Sequence, residues 1–323
     1  MRSATRSDGW RVPASSPPDA LPDAGRSADV VARLLPRCTF PPAGTHVTCA
    51  VSGGVDSSAL VALAVAAGCL VEAVHVDHQL RPRSAAEAEI VRELAHRLGA
   101  TFRALTVTIA PGSNLEARAR DARHTVLPAQ VATGHTADDQ AETILINLLR
   151  GSTSAGLSAM RPGQRRPILD LRRSETVEVC ESLALTTVAD PSNDDRRFLR
   201  NRIRHDVIPL LDDVAARDIV PVLCRQAHLL RDDDDLLDEL SQAIDATDAV
   251  ALTRAPASLA RRAVRRWIAA ADCRGYPPDS AAVERVLAVA AGRSEACELA
   301  GGLRVSRHAQ RLHVSPRRHR SPR

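Results

Sequence analysis

Short β-branched runs alternate with longer alanine- and leucine-rich segments over the first half of the chain. The runs predict strands at residues 47–51, 70–76, 101–109 and 130–133. The segments that follow them predict helices at residues 57–67, 84–98, 115–126 and 137–149. Strands that alternate with helices are typical of a parallel sheet covered on both faces. We therefore predict an α/β fold built on a doubly wound parallel sheet.

Beyond residue 163, helical periodicity with acidic and basic faces replaces this alternation. Here we predict an extended segment at 167–169, a helix at 174–183 with Ser174 as its N-cap, and a basic helix at 196–211. The predicted organisation has four parts: a disordered tail and lead-in (1–45), the α/β domain (46–210), a smaller, mostly helical domain (211–295), and a short terminal hairpin with a basic tail (296–323).

Composition narrows the classes of protein to which this chain can belong. It has 323 residues, a net charge of +4 and 2% aromatic residues, and its sequence contains no lysine. Few aromatics argue against binding of single-stranded nucleic acid by base stacking. Seven dispersed cysteines argue against a disulfide framework and against a zinc or iron–sulfur centre. Because we find neither a signal peptide nor a long apolar segment, we expect a cytoplasmic protein with no membrane partner.

The sequence Ser52-Gly53-Gly54-Val55-Asp56-Ser57 lies between the first predicted strand and its helix. Glycines let a chain turn tightly, and backbone N–H groups at a helix start bind phosphate. Serine hydroxyls add donors, and the Asp56 carboxylate is suited to hold Mg²⁺ beside the phosphates. Neither the G-x-x-x-x-G-K-S/T loop nor the G-x-G-x-x-G loop occurs here. The alternative is a plain glycine turn before a core helix.

Polar side chains also follow other predicted strands, at His75-Val76-Asp77-His78 and at His135 with Asp138, Asp139 and Glu142. Because ligands of parallel sheets bind beyond the carboxyl ends of the strands, we predict one shared cleft. The acids after His135 could simply complement a helix dipole, or they could form a pocket for a cation. By residue type, the first stretch could hold a metal, but strand alternation places His78 on the face opposite His75 and Asp77, which disfavours a metal triad.

The glycine loop resembles the S-G-G-x-D-S pyrophosphate loop of the N-type ATP pyrophosphatases. Further stretches resemble one family of that group, the tRNA(Ile)-lysidine synthetases, in the family's order over about residues 47–209. Six of these stretches are HVDHQLR (75–81), EARARDAR (116–123), GHTADDQAET (134–143), RPIL (166–169), DPSN (190–193) and RFLRNRIR (197–204). The set is more specific than the loop alone, since tRNA thiolases share the loop and not the set.

The resemblance implies a two-step reaction that consumes ATP. The C2 oxygen of the wobble cytidine, in the CAU anticodon of tRNA(Ile), would attack the α-phosphorus of ATP and release pyrophosphate. The ε-amine of free L-lysine would then displace AMP and leave lysidine. The resemblance also implies Mg²⁺ and leaves a homodimer open. Paired cysteines, which many tRNA thiolases need, are missing here. A thiolase and a non-catalytic nucleotide-binding module are the alternatives.

The implied site residues fall into five sets. ATP binding is assigned to Ser52, Gly53, Gly54, Val55, Asp56, Ser57, His75 and Asp77, and catalysis to Asp56, Arg120 and Arg123. Lysine binding is assigned to His135, Asp138, Asp139 and Glu142, and magnesium to Asp56 and Asp139. Binding of tRNA is assigned to Arg166, Arg197, Arg200, Asn201 and Arg204, with Arg165, Arg172 and Arg173 as further candidates. The alternative for each arginine set is a solvated surface.

Overall fold

A four-stranded parallel sheet in the order β3-β2-β1-β4 lies in the first half of the chain. The computed structural model describes residues 24–77, 84–107, 118, 125–188, 195–272 and 278–316. The parallel strands are β1 (His46–Ala50), β2 (Leu70–Asp77), β3 (Thr101–Thr106) and β4 (Ala132–Thr133). The predicted α/β fold with a parallel sheet is confirmed, and β1 lies inside the sheet between β2 and β4.

Helices alternate with these strands and continue through the rest of the described chain. Within the described residues they are α1 (Ala24–Leu34), α2 (Val55–Ala66), α3 (Ser84–Arg97), α4 (Ala137–Leu149), α5 (Ser154–Leu157), α6 (Arg173–Ser182), α7 (Leu199–Arg202), α8 (Ile208–Ala215), α9 (Val220–Gln242), α10 (Ala249–Arg254), α11 (Ala257–Ala271) and α12 (Ser280–Ala290). The helix predicted at 115–126 falls mostly outside the described ranges, and no described helix is long and apolar enough to cross a bilayer.

An aliphatic core fixes α2 against the sheet. Leu60 and Leu63 of α2 are completely buried and share this core with Cys49 of β1 and Ala73 of β2. Each leucine buried in this way contributes about 1.5–3 kcal/mol to folding. The strand before the glycine loop and the helix after it are therefore both held by the core, which limits how far the loop can move.

The described residues fall into two compact units. One comprises the chain up to Glu142 together with Met160–Ala216, and the other comprises Thr143–Ala159 and the residues from Arg217 onward. In the second unit, the antiparallel strands β5 (Ala296–Leu299), β6 (Leu303–His308) and β7 (Arg311–Pro316) share an apolar core with α10, α11 and α12. The predicted hairpin is the β6–β7 pair, and β5 adds a third strand. The domain limits at 210 and 295 stay predictions.

Two local predictions were wrong, and a third was right in kind but not in detail. The segment 167–169 is a pair of turns, since Leu169 N–H donates to Arg166 O at 3.2 Å. Helix α6 begins before Ser174, because Arg172 is its N-cap and donates its N–H to Glu175 Oε2 at 2.8 Å. The basic segment predicted as a helix at 196–211 is helical from Leu199 onward, but it consists of α7, a π-helical turn (Ile203–Val207) and α8. Proline lies in the first turn of α8, where it lacks an N–H and obstructs the preceding carbonyls.

Candidate active site at the carboxyl ends of the strands

The glycine loop directs backbone N–H groups toward one point beyond β1. Helix α2 starts at Val55 with Gly54 as N-cap, and no side chain among the described residues caps it. The Ser57 hydroxyl donates to Gly54 O at 2.9 Å, and Ser52 N–H lies 3.3 Å from Ser57 Oγ. These contacts hold the turn in shape, while the first N–H groups of α2 keep the partial positive charge that attracts a phosphate.

Two glycines are required here for different reasons. Gly53 has a φ of +87°, and a Cβ at this position would lie 2.8 Å from Val188 Cγ2. Val188 N–H also donates to Gly53 O at 2.8 Å, so the segment after α6 is fastened to the loop. Gly134, which follows β4, approaches the first turn of α2 so closely that a Cβ would lie 2.8 Å from the Asp56 carbonyl carbon. The loops after β1 and β4 therefore meet.

We expect Gly134→Ala to weaken ATP binding about tenfold, a loss of about 1.4 kcal/mol. The new methyl group meets the backbone of Asp56 and Ser57, at the end of the glycine loop. Backbone cannot rotate away as a flexible side chain can. The measurement is an equilibrium ATP titration together with urea unfolding. Gly44→Ala is the matched control: its φ of +82° makes it strained, but nothing lies within 4 Å of the added Cβ. Equal losses of ATP affinity in the two variants would contradict the packing role of Gly134.

Three aspartates meet where β1 and β4 end, and two arginines at the start of α6 lie among them. Arg173 Nε is 3.0 Å from Asp56 Oδ2, and its Nη2 is 3.2 Å from Asp139 Oδ1. Arg172 contacts both oxygens of Asp138, at 3.2 and 3.1 Å. Bidentate guanidinium–carboxylate contacts are geometrically specific as well as strong. The two arginines, which we considered for tRNA phosphates, instead neutralise the acid cluster in this structure.

Glu142 lies one turn further along α4 and is the most buried acid of the group, with 1% of its side chain exposed. Arg200 Nε is 2.7 Å from one of its oxygens, and Arg204 Nε is 2.6 Å from the other. Four carboxylates therefore face four guanidinium groups across the site. The guanidinium groups offset the negative charge of these acids in a partly dry setting, where an unpaired charge would be costly.

Burial and neighbouring charges move the pKa values of two bridged carboxyls in opposite directions. Burial raises the pKa of Asp56 above its ordinary value, although Arg173 and the Thr176 hydroxyl favour the charged form. Burial also opposes the charge of Asp139, but Arg173 and the N–H of Thr136 lower its pKa below the usual range. Asp139 Oδ2 accepts that N–H at 2.9 Å, so Asp139 both caps α4 and contacts a cation.

The start of α6 is itself held by charges from α1 and the turn that follows it. Glu175 accepts hydrogen bonds from Arg172 N–H at 2.8 Å and from Arg37 Nη1 at 2.5 Å. Burial opposes its charge, but these partners lower the pKa of Glu175. Thr176 Oγ1 lies 2.5 Å from Asp56 Oδ1 and is completely buried. These contacts position α6 so that its arginines reach the aspartates.

The structure places the remaining predicted ligands unevenly. His75 lies inside β2 with 3% of its surface exposed, and its Nδ1 is 2.9 Å from Val51 O. That contact joins β2 to the end of β1, just before the phosphate loop. Asp77 is half-buried at the end of β2. His135 follows β4, and its Nδ1 lies 2.7 Å from Thr133 Oγ1. Arg120, Arg123 and His78 lie outside the described residues.

The predicted tRNA contacts differ in exposure. Arg197 has 86% of its side chain exposed and pairs with Asp195 two residues away. Asn201 is 7% exposed and donates its side-chain N–H to Asp195 O at 2.9 Å, so it organises the turn before α7. Arg166 Nη1 lies 3.4 Å from Arg161 O. Arg197 is thus the most accessible cation of the predicted set whose exposure is known.

Sequence reasoning missed the parts of the site that come from packing. It assigned no site role to Thr176, Gly134 or Val188. A glycine directly after a predicted strand could have pointed to Gly134, whereas nothing in the local sequence distinguishes Thr176 or Val188. Within the described residues, no group of three or more His, Cys, Asp or Glu side chains is arranged to hold a metal ion. Asp56 and Asp139 nevertheless converge on one guanidinium, which fits the one or two carboxylates by which Mg²⁺ is usually held in phosphate sites.

The fold and the loop define a protein of the PP-loop class, and the model of the PP-loop domain family matches residues 29–211. A tRNA(Ile)-lysidine synthase of Nocardia farcinica is 42% identical over 245 residues, which are 71% of this chain and 77% of that protein. The tRNA(Ile)-lysidine synthase of Rhodococcus erythropolis is 40% identical over 69% of this chain and 74% of its own length. The chain belongs to the tRNA(Ile)-lysidine synthase family.

A solved structure supports the fold independently of close sequence similarity. The U34-tRNA thiolase NcsA of Methanococcus maripaludis superposes with a TM-score of 0.51 at 16% identity, covering 64% of this chain and 81% of the thiolase. At this identity the likeness concerns the fold alone.

Proposed function

We propose that this chain is a ligase that forms lysidine on tRNA(Ile), with ATP converted to AMP and pyrophosphate. One observation carries the proposal furthest: the phosphate loop after β1 and the acid cluster after β4 meet, bridged by Arg173 between Asp56 and Asp139. A phosphate site and a cation site side by side are what the reaction requires. The α-phosphate must be attacked next to the position from which an amine arrives.

The loop holds the triphosphate through the N–H groups at the start of α2 and the hydroxyls of Ser52 and Ser57. These donors stabilise the charge that grows on the departing pyrophosphate. Asp56 and Asp139 are the proposed magnesium ligands, and the metal, when bound, neutralises phosphate charge. Gly53, Gly54 and Val55 contribute backbone, while His75 braces the loop from β2 and Asp77 lies at the strand end.

Free lysine is proposed to enter on the α4 side of the cluster. Asp138 and Asp139 lie in the first turn of α4, and His135 lies just before that helix. The ammonium group of lysine would be held there by the carboxylates. Glu142 is paired with Arg200 and Arg204 and only 1% of its side chain is exposed, against 22% for Asp138, so we assign it the positioning of these arginines and the local negative charge. To attack, the amine must lose its proton, and a carboxylate beside it can accept that proton.

The tRNA partner is proposed to bind through arginines that remain accessible. Arg197 and Arg166 are the candidates for backbone phosphates, together with Arg120 and Arg123, whose placement the structure does not describe. The wobble cytidine must leave its stack to reach the loop, which costs little in an anticodon loop. We place the enzyme in the cytoplasm, where tRNA, ATP and free lysine occur together.

The experiment is an incubation of the full chain with ATP, radiolabelled lysine and an isoleucine tRNA transcript that carries a CAU anticodon. We expect ATP-dependent transfer of label to RNA, with AMP and pyrophosphate formed in equal amounts. A transcript whose anticodon is UAU serves as the matched control, because uridine offers the wrong base for the reaction. Absence of labelled RNA alongside an active control enzyme would refute the proposal.

A further inference from the structure

Arg173 lies between two partly buried carboxylates. It bridges Asp56, in the first turn of α2, and Asp139, in the first turn of α4. The two acids come from the first turns of different helices, and their side chains are only 22% and 13% exposed. Without a cation between them, the two carboxylates would repel each other at close range. Arg173 therefore acts as an internal counter-cation for the pair.

The backbone of Arg173 is held by Asp138, and its side chain is partly exposed. Its N–H donates to Asp138 Oδ2 at 2.7 Å, which ties the start of α6 to the cluster. Its side chain is 29% exposed, so the guanidinium has a route outward. The neighbouring Arg172 pairs with Asp138, whereas the bridge between Asp56 and Asp139 is made by Arg173. The two arginines thus differ in whether they bridge Asp56 and Asp139.

We propose that Arg173 is a positioning residue that occupies the cation position between Asp56 and Asp139 in the absence of nucleotide and yields it when magnesium arrives with ATP. This rests on the proposed function, because it takes these two carboxylates as the magnesium ligands. Mg²⁺ needs oxygens at about 2.0–2.1 Å, so an ion shared by the two carboxylates would take the space that the guanidinium occupies. The triphosphate supplies a new anionic partner for Arg173, whose planar fork suits phosphate.

Arg173 thereby makes binding of the divalent ion depend on nucleotide. An ion that arrives alone must displace the guanidinium from both carboxylates with no phosphate present to receive it. An ion that arrives with ATP displaces it toward the phosphates at the start of α2. Metal and nucleotide should therefore bind cooperatively, and this coupling should be lost when the guanidinium is removed.

The test is a titration of the full chain with Mn²⁺ in the absence of nucleotide, with free Mn²⁺ followed by electron paramagnetic resonance. We expect Arg173→Gln to bind Mn²⁺ at least about tenfold more tightly than the parent chain. Arg172→Gln, the matched control, should stay within about twofold of the parent, and Arg173→Lys should fall between parent and Arg173→Gln. In Arg173→Gln, a non-hydrolysable ATP analogue should strengthen Mn²⁺ binding less than it does in the parent.

The outcomes separate this inference from the proposed function. If Arg173→Gln binds Mn²⁺ no more tightly than the parent, or if neither binds it, the inference is overturned. If the gain persists in Arg173→Gln combined with Asp56→Asn, the ion lies elsewhere and the inference is overturned as well. Lysine transfer to tRNA is measured separately, so the ligase proposal stands or falls by that assay alone. Should Arg173→Gln fail to fold, the Arg173→Lys titration and the parent's dependence on the ATP analogue decide the matter.

Discussion

Asp56→Asn is expected to lower ATP- and lysine-dependent modification of tRNA by at least about 100-fold. The amide keeps the shape of the side chain but removes the charge that a magnesium ion would need. It also leaves Arg173 with Asp139 as its remaining bridged carboxylate. The measurement is the initial rate of labelled lysine transfer at saturating tRNA, with circular dichroism to show that the variant is folded.

Asp170→Asn is the matched control for this change. Asp170 is exposed and lies shortly before α6. Its substitution also replaces a carboxylate by an amide, but it leaves the bridge between Asp56 and Asp139 intact. Its rate should equal that of the parent chain within the error of the measurement. An Asp56→Asn enzyme that works within twofold of the parent would remove Asp56 from the proposed metal site.

Glu142→Gln is expected to destabilise the first unit by about 3 kcal/mol. The glutamate side chain is almost completely buried between Arg200 and Arg204, so its loss leaves two guanidinium groups beside a neutral amide. These arginines are 33% and 23% exposed, and partial hydration keeps the loss at the lower end for a buried pair. Urea unfolding of parent and variant measures the difference.

Glu89→Gln provides a surface comparison in the same unit. Glu89 pairs with Arg92 on α3, with more than half of both side chains exposed, so its removal should cost less than about 0.5 kcal/mol. A similar small loss in Glu142→Gln would mean that the two arginines find other partners. In that case the arginine–glutamate contacts would carry little of the stability of the site.

Local pattern was sufficient for the elements that repeat a simple period. The four parallel strands and α2 lie within a few residues of their predicted positions, because β-branched runs and apolar helices are stable in few other arrangements once buried. Prediction was weaker where chain direction changes. The π-helical turn and the turns at 167–169 depend on a proline and on packing, which a hydrophobic pattern does not register.

The sequence by itself determined the class of loop, the parallel sheet and the presence of four acids near the strand ends. The motif letters carry that information directly, since phosphate binding and helix starts are local properties. Only the tertiary structure decided which charges neutralise which. Arg173 reaches Asp56 across 117 positions of sequence, and Arg200 reaches Glu142 across 58. Such pairs depend on where α6 and α7 pack, so the sequence alone does not reveal which arginines reach these acids.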